Sequence, residues 1–139
     1  MPMEHTEALA LLGRSRVGRL ATIRPDGRPH IVPVTFALLD QSVVTMIDHK
    51  PKTTTRLQRL ANIRAEPRVA LLVDEWSEDW RHLRWARFDG RAEIHEQGDL
   101  WESARSALVT KYGQYEDEPP IGPAIVITID GVSGWASNG

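Results

Sequence analysis

The sequence predicts a mainly β protein, a closed or half-closed antiparallel barrel with flanking helices, and two observations predict it. Strand-like apolar runs outnumber helical ones. The early runs are joined by short turns of hairpin type rather than by helices, which favours a barrel over an alternating strand–helix layout. The 139 residues suit one domain over 1–139, large enough to bury a core.

The elements follow in order. Glu4 to Leu12 reads as a short helix with Leu9 and Leu12 on one face and Gly13 ending it. A strand from Arg16 carries Val17, Leu20 and Ile23 and stops at Arg24-Pro25-Asp26-Gly27, where Pro presets φ and Gly accepts a positive one. The return strand runs from Arg28 to Leu39. Pro29 and Pro33 cannot donate to a ladder, so it belongs at an edge or carries a bulge. After the turn Asp40-Gln41-Ser42 comes a third strand, Val43 to Asp48.

A helix is expected from near Pro51, tolerated in a first turn, to just before Pro67, with Leu57, Leu60 and Ala61 inward. Arg68 to Val73 is a short apolar strand, and Asp74 to Arg81 an acidic loop with two tryptophans. Leu83 to Glu96 reads as a long bent strand with a bulge or turn at Asp89-Gly90. A second helix spans Gly98 to Tyr112 with Leu100, Ala104, Ala107 and Leu108 inward. Gln114 to Pro123 is a proline-rich loop, Ala124 to Ile129 closes the sheet as its sixth strand, and Gly131 to Gly139 is a tail carrying Trp135.

Formal net charge is −2, so bulk electrostatics draws the protein neither to nucleic acid nor to an acidic membrane. Cysteine is absent, which removes disulfide and thiolate chemistry and fits a cytoplasmic setting. No apolar run approaches the ~20 residues needed to span a bilayer, and the first residues lack the character of a signal peptide. No serine sits in a nucleophile elbow, and neither His30 nor His49 has a partner at ligand-like spacing. A metal site and a named catalytic residue are therefore not predicted.

Basic residues cluster instead where the third strand hands over to the helix: Lys50, Lys52, Arg56 and Arg59, with the hydroxyls Thr53, Thr54 and Thr55. A helix start leaves N–H groups unpaired and carries partial positive charge. Lysines and hydroxyls added there make a seat for a phosphate, against the plain reading of a solvated basic face.

Across nearly the whole chain the residues resemble the pyridoxamine-phosphate-oxidase-like split-barrel superfamily, and more narrowly its deazaflavin branch, the coenzyme F420-dependent oxidoreductases. The carriers are Val17-Gly18-Arg19-Leu20-Ala21-Thr22, Asp26-Gly27-Arg28-Pro29-His30, Val32-Pro33-Val34 and Asp48-His49-Lys50-Pro51-Lys52. They continue with Arg56-Leu57, Asn62-Ile63, the run from Pro67 to Asp74, Asp79-Trp80 and Ser133-Gly134-Trp135-Ala136. Glu78 to Ala86 follows the branch only loosely, with Arg84 where an aromatic residue is usual.

The resemblance implies a six-stranded split barrel that pairs as a homodimer, with cofactor sites at the subunit interface. It implies a phosphate held by Lys50, Lys52 and Thr53 with Arg56 nearby, and His49 in reach of the cofactor. The ring system would lie against Pro33, Val34 and Thr35 and against Met46, Ile47 and Asp48, with Trp85 or Trp135 covering it from the partner. Pro33 also has the plain reading of an edge-strand guard, and the tryptophans that of core or interface residues. The implied activity is hydride transfer from reduced coenzyme F420 to a small unsaturated acceptor. Flavin mononucleotide is the alternative cofactor, and a non-catalytic carrier of a cofactor or tetrapyrrole the alternative role.

Overall fold

The computed structural model describes residues 1–48 and 54–137, with the side chains of 54–57 outside the description. The elements are α1 (His5–Arg14), β1 (Gly18–Ile23), β2 (Pro29–Val34), β3 (Ala37–Leu39), β4 (Ser42–Met46), α2 (Thr54–Ala65) and β5 (Arg68–Glu75). After a 3-10 turn at Trp80–His82 come β6 (Arg84–His95), α3 (Asp99–Lys111), the short α4 (Gln114–Asp117) and β7 (Ala124–Ala136). All six expected strands are present. The seventh arises because the second breaks in two at Thr35 and Phe36.

That break shapes the fold. The seven strands form one antiparallel sheet in the order β2-β1-β5-β6-β7-β4-β3. β2 and β3 therefore lie at opposite edges of the hydrogen-bonded order, yet only Thr35 and Phe36 separate them in the chain. Two residues span at most about 10 Å, so the sheet must curl until its edges come side by side. The result is a mainly β half-barrel with a seam between the edges.

The seam is held by side chains that replace strand partners. The Thr45 hydroxyl donates to the Thr35 carbonyl at 2.7 Å, and the Phe36 N–H donates to the Tyr112 hydroxyl at 3.2 Å. The Tyr112 hydroxyl in turn lies 2.9 Å from the Arg16 carbonyl and 3.0 Å from that of Phe36, so its one proton is well supplied. Tyr115 donates to Asp48 Oδ1 at 2.6 Å. An ionised carboxylate cannot donate, so the 2.8 Å contact between Tyr115 and Thr35 is a donation from the threonine. The helix and loop that carry Tyr112 and Tyr115 thus fasten the link between the two sheet edges.

Inside the curl, Leu20, Phe36, Val43, Leu71, Phe88 and Ile127 form the core, closed by Leu11 and Leu12 of α1 and Leu60 and Ile63 of α2. A second cluster packs Ala104 and Leu108 of α3 on Val44, Met46 and Val126. Asn62 is fully buried; its side chain donates to Thr22 at 3.0 Å and accepts from Gln58 at 2.6 Å, which locks α2 to β1. Several inward assignments change. Ala61 and Leu100 are exposed, and Asn62 and Ile63 take the inward face of α2 that Ala61 was expected to share. Gly13 lies within α1, which ends at Ser15 instead, where the serine N–H caps the Leu11 and Leu12 carbonyls.

The expected tail is strand as far as Ala136, because β7 pairs with β6 along its length, Trp135 opposite Trp85. Asp89-Gly90 does mark a bulge: Asp89 pairs with Gly131 and Gly90 with Ile129, which leaves Asp130 extra. A Cβ on Gly90 would lie 2.3 Å from the Thr128 carbonyl oxygen, a backbone atom that cannot move aside.

Two predictions follow from this packing. Gly90→Ala lowers stability by on the order of 3 kcal/mol, read as a drop in urea midpoint at unchanged m-value. Tyr115→Phe costs about 1–3 kcal/mol at neutral pH by stranding Thr35 and Asp48. Burial, and next the bond to Asp48, raise the Tyr115 hydroxyl from 10.0 to about 12. A folded-state pKa above the unfolded one stabilises fully below pH 10 and is lost as pH rises toward 12. Chemical denaturation across that range shows the gap between wild type and Tyr115→Phe shrinking.

Candidate functional site

At the seam the curled edges leave a cleft of about 340 Å³. Its walls come from both sides of the break: Pro33, Val34 and Thr35 where β2 ends, and Thr45, Met46, Ile47 and Asp48 where β4 ends. Val17 and Arg59 complete it. The six described residues expected against a ring system, Pro33 to Thr35 and Met46 to Asp48, thus meet in one place. β2 lies at the sheet's edge, as its prolines require, so alternate backbone groups there have no strand partner.

The expected phosphate anchors Lys50, Lys52 and Thr53, and His49, expected in reach of the cofactor, lie outside the described residues, between Asp48 and the start of α2. Arg56 falls in the first turn of α2, with its side chain outside the description. Arg59, one turn further along the same helix, reaches the cleft. It belonged to the basic cluster in the sequence but not to the expected anchor. The i, i+3 spacing from Arg56 is the signal that would have included it. Val17 and Thr45 were missed as well, and so was Tyr115 behind the wall, which reads in sequence as a loop residue.

Trp85 and Trp135 stand apart from this cleft. They line a larger hollow of about 630 Å³ on the outer sheet face, together with Arg19, Ile31, Leu72 and Trp76. Pro33 and Arg19 are partners in the β1–β2 ladder, so their side chains share one face. Cleft and hollow therefore open on the same side of the molecule. The hollow is ringed by ion pairs, Arg19–Asp74 at 2.8 Å and Arg14–Glu75 at 3.0 Å. The hydrogen bonds from Arg14 hold the Glu75 carboxyl below its ordinary pKa.

The charged residues in the cleft's described lining are Asp48, just past β4, and Arg59 of α2. Beneath the seam, Lys111 lies 3.8 Å from the centre of the Phe36 ring, and burial followed by the nearby Arg16 charge brings its amine down to about 8. Burial, then the charges of Arg24 and Arg59, also lower the His30 imidazole, which does not line the cleft. Among the described residues no group of three or more His, Asp or Glu side chains converges on a metal site. No helix among them is long and apolar enough to cross a membrane.

Comparison with known proteins gives this geometry its context. No curated protein matches the chain. Among solved structures, a conserved hypothetical protein of Mycobacterium tuberculosis is 25% identical with a TM-score of 0.80, over 98% of this chain and 86% of that one. An FAD-binding protein of Mesorhizobium loti is 27% identical with a TM-score of 0.76, over 96% and 95% of the two chains. A heme-binding protein of Mycobacterium smegmatis, 22% identical at a TM-score of 0.77, shares the fold; it is matched over 96% of this chain and 54% of its own length. The family model described as pyridoxamine 5'-phosphate oxidase matches residues 5–136, and the chain belongs to that family.

Proposed function

We propose that this protein is a cytoplasmic, homodimeric reductase that uses reduced coenzyme F420 to deliver a hydride to an unsaturated organic acceptor. The observation that carries this reading is the seam cleft. It gathers Pro33 to Thr35, Met46 to Asp48 and Arg59, and the stretch of sequence between Asp48 and Arg59 holds Lys50, Lys52, Thr53 and Arg56. Its volume is at the lower end for small-molecule sites, enough for a planar ring with the ligand's tail outside. Its lining suits such a ring: apolar walls from Val17, Pro33 and Ile47, a carboxylate acceptor and a guanidinium donor.

The likeness to an FAD-binding protein supports a flavin-type guest. The motif Asp48-His49-Lys50-Pro51-Lys52 with Asp79-Trp80 supports the deazaflavin within that class. When bound, the deazaflavin would supply the hydride, and the protein's share is position and electrostatics. Lys50, Lys52, Thr53 and Arg56 would hold the phosphate, with lysine as a mobile point charge and arginine as a flat fork. The seam residues would fix the ring so that one face meets the acceptor, since alignment of donor and acceptor is the main catalytic contribution.

A second copy would complete the site. Ile31 and Trp76 are 63% and 67% exposed on the face where cleft and hollow both open, and Trp135 beside them is partly exposed. Contiguous apolar surface of this kind rimmed by charge marks an interface. The fold shared with a heme-binding protein favours, as a second reading, a carrier that holds its ligand without turnover.

Fluorescence titration with coenzyme F420 and with flavin mononucleotide tests the cofactor, and tight binding of the flavin alone overturns the deazaflavin. Lys50→Ala with Lys52→Ala weakens F420 binding on the order of tenfold or more; unchanged affinity places the anchor elsewhere. Light scattering reports a dimer that Trp135→Asp dissociates. Tight binding without oxidation of reduced cofactor by any of a panel of acceptors favours the carrier.

A further inference from the structure

The polar groups of the cleft are committed in a particular pattern. The Thr45 hydroxyl proton is spent on the Thr35 carbonyl, and the Thr35 proton on Tyr115. Neither hydroxyl is left as a donor. Tyr115 gives its proton to Asp48 Oδ1. The Asp48 carbonyl accepts from Ile121 N–H at 3.1 Å, so main chain and side chain are each tied to the segment after α3. Among the described residues Asp48 Oδ2 accepts no hydrogen bond, and Asp48 lines the cleft. The described side chains thus offer one fixed acceptor, a carboxylate oxygen of Asp48. A ligand that matches must present an N–H toward it, and on a flavin-type ring the N–H at the edge is that of the cyclic imide.

We infer that Asp48, held in place by Tyr115, accepts the hydrogen bond of the imide N–H on the ring bound in the cleft and so selects imide-bearing rings. This rests on the reading of the cleft as a flavin-type site. Tyr115 is the positioning residue: it occupies one carboxylate oxygen and thereby aims the other. Because burial keeps the tyrosine protonated far above neutrality, it remains a donor and Asp48 remains oriented throughout the physiological range. Tyr115 and Asp48 also line a second hollow of about 300 Å³ behind the wall, so the carboxylate has solvent on its far side as well. Without the tyrosine, the side chain is free to rotate away from the cleft.

The test compares whichever of coenzyme F420 and flavin mononucleotide the wild type binds with its N3-methyl derivative, which keeps the ring and phosphate but lacks the imide proton. Affinities are measured by fluorescence quenching for wild type, Asp48→Ala and Tyr115→Phe. Wild type is expected to bind the methylated ligand on the order of tenfold more weakly, the scale of one charge-assisted hydrogen bond. Asp48→Ala is expected to bind both alike, with Tyr115→Phe in between. Equal binding of the two ligands by wild type overturns the inference without any variant. A methylation penalty that survives in Asp48→Ala also overturns it and leaves Asp48 as a brace for the loop. If wild type binds neither flavin mononucleotide, its derivative nor coenzyme F420, the reading of the cleft itself fails, an outcome distinct from the other two.

Discussion

Everything in this molecule answers to the shortness of the link between β2 and β3. A sheet whose opposite edges are joined by two residues has no option but to curl, and the curl creates both the core and the seam. Because the edges meet side by side without a shared ladder, their backbone groups need other partners. Thr45 and Tyr112 supply them for Thr35 and Phe36. The same shortage of strand partners that endangers an edge elsewhere here leaves polar groups on the walls of the seam cleft. Closure and cleft are thus two consequences of one constraint.

Elements with a local cause could be read from the sequence. The turn at Pro25-Asp26-Gly27, the edge placement of Pro29 and Pro33 and the bulge at Gly90 each follow from backbone chemistry of one or two residues. So did the pairing of Pro33–Thr35 with Met46–Asp48 in a single cleft, through the family resemblance. What escaped depends on partners far away in the chain. Thr35 and Phe36 sit inside a run of strand-forming residues, and only hydroxyls 10 to 80 positions distant make them a break. Gly131 to Ala136 has too little apolar alternation to read as strand; it is strand because β6 lies alongside. Asn62 takes the inward place expected of Ala61, since a buried amide is tolerated where Thr22 and Gln58 satisfy it.

Charge is organised around the same side of the sheet. With a formal net charge of −2 the protein exerts no strong long-range field, so selectivity has to come from short-range placement. On the outer face, Arg19–Asp74, Arg14–Glu75 and Arg87–Asp89 border apolar residues in the middle. Each pair is half-exposed, and such pairs contribute little stability in isolation. Their effect is to keep a surface of tryptophan, leucine and isoleucine soluble and to penalise contacts that would bury one charge without its partner.

The fold by itself leaves the guest open, since the same half-barrel occurs in proteins described as FAD-binding and as heme-binding. Discrimination between such ligands must lie where the sheet edges present polar atoms, and these are few. A porphyrin demands an axial ligand and room for its propionates, whereas a flavin-type ring demands a donor–acceptor match along one short side. The described lining of this cleft commits its threonine protons inward. It is left with a braced carboxylate and an arginine on different elements, β4's end and α2. α2 is locked to β1 through Asn62, and Asp48 to α4 through Tyr115, so the two residues are held by independent anchors. Placement of Asp48 and Arg59 from two separately anchored elements is the arrangement that the proposed recognition of a flavin-type ring by its edge would use.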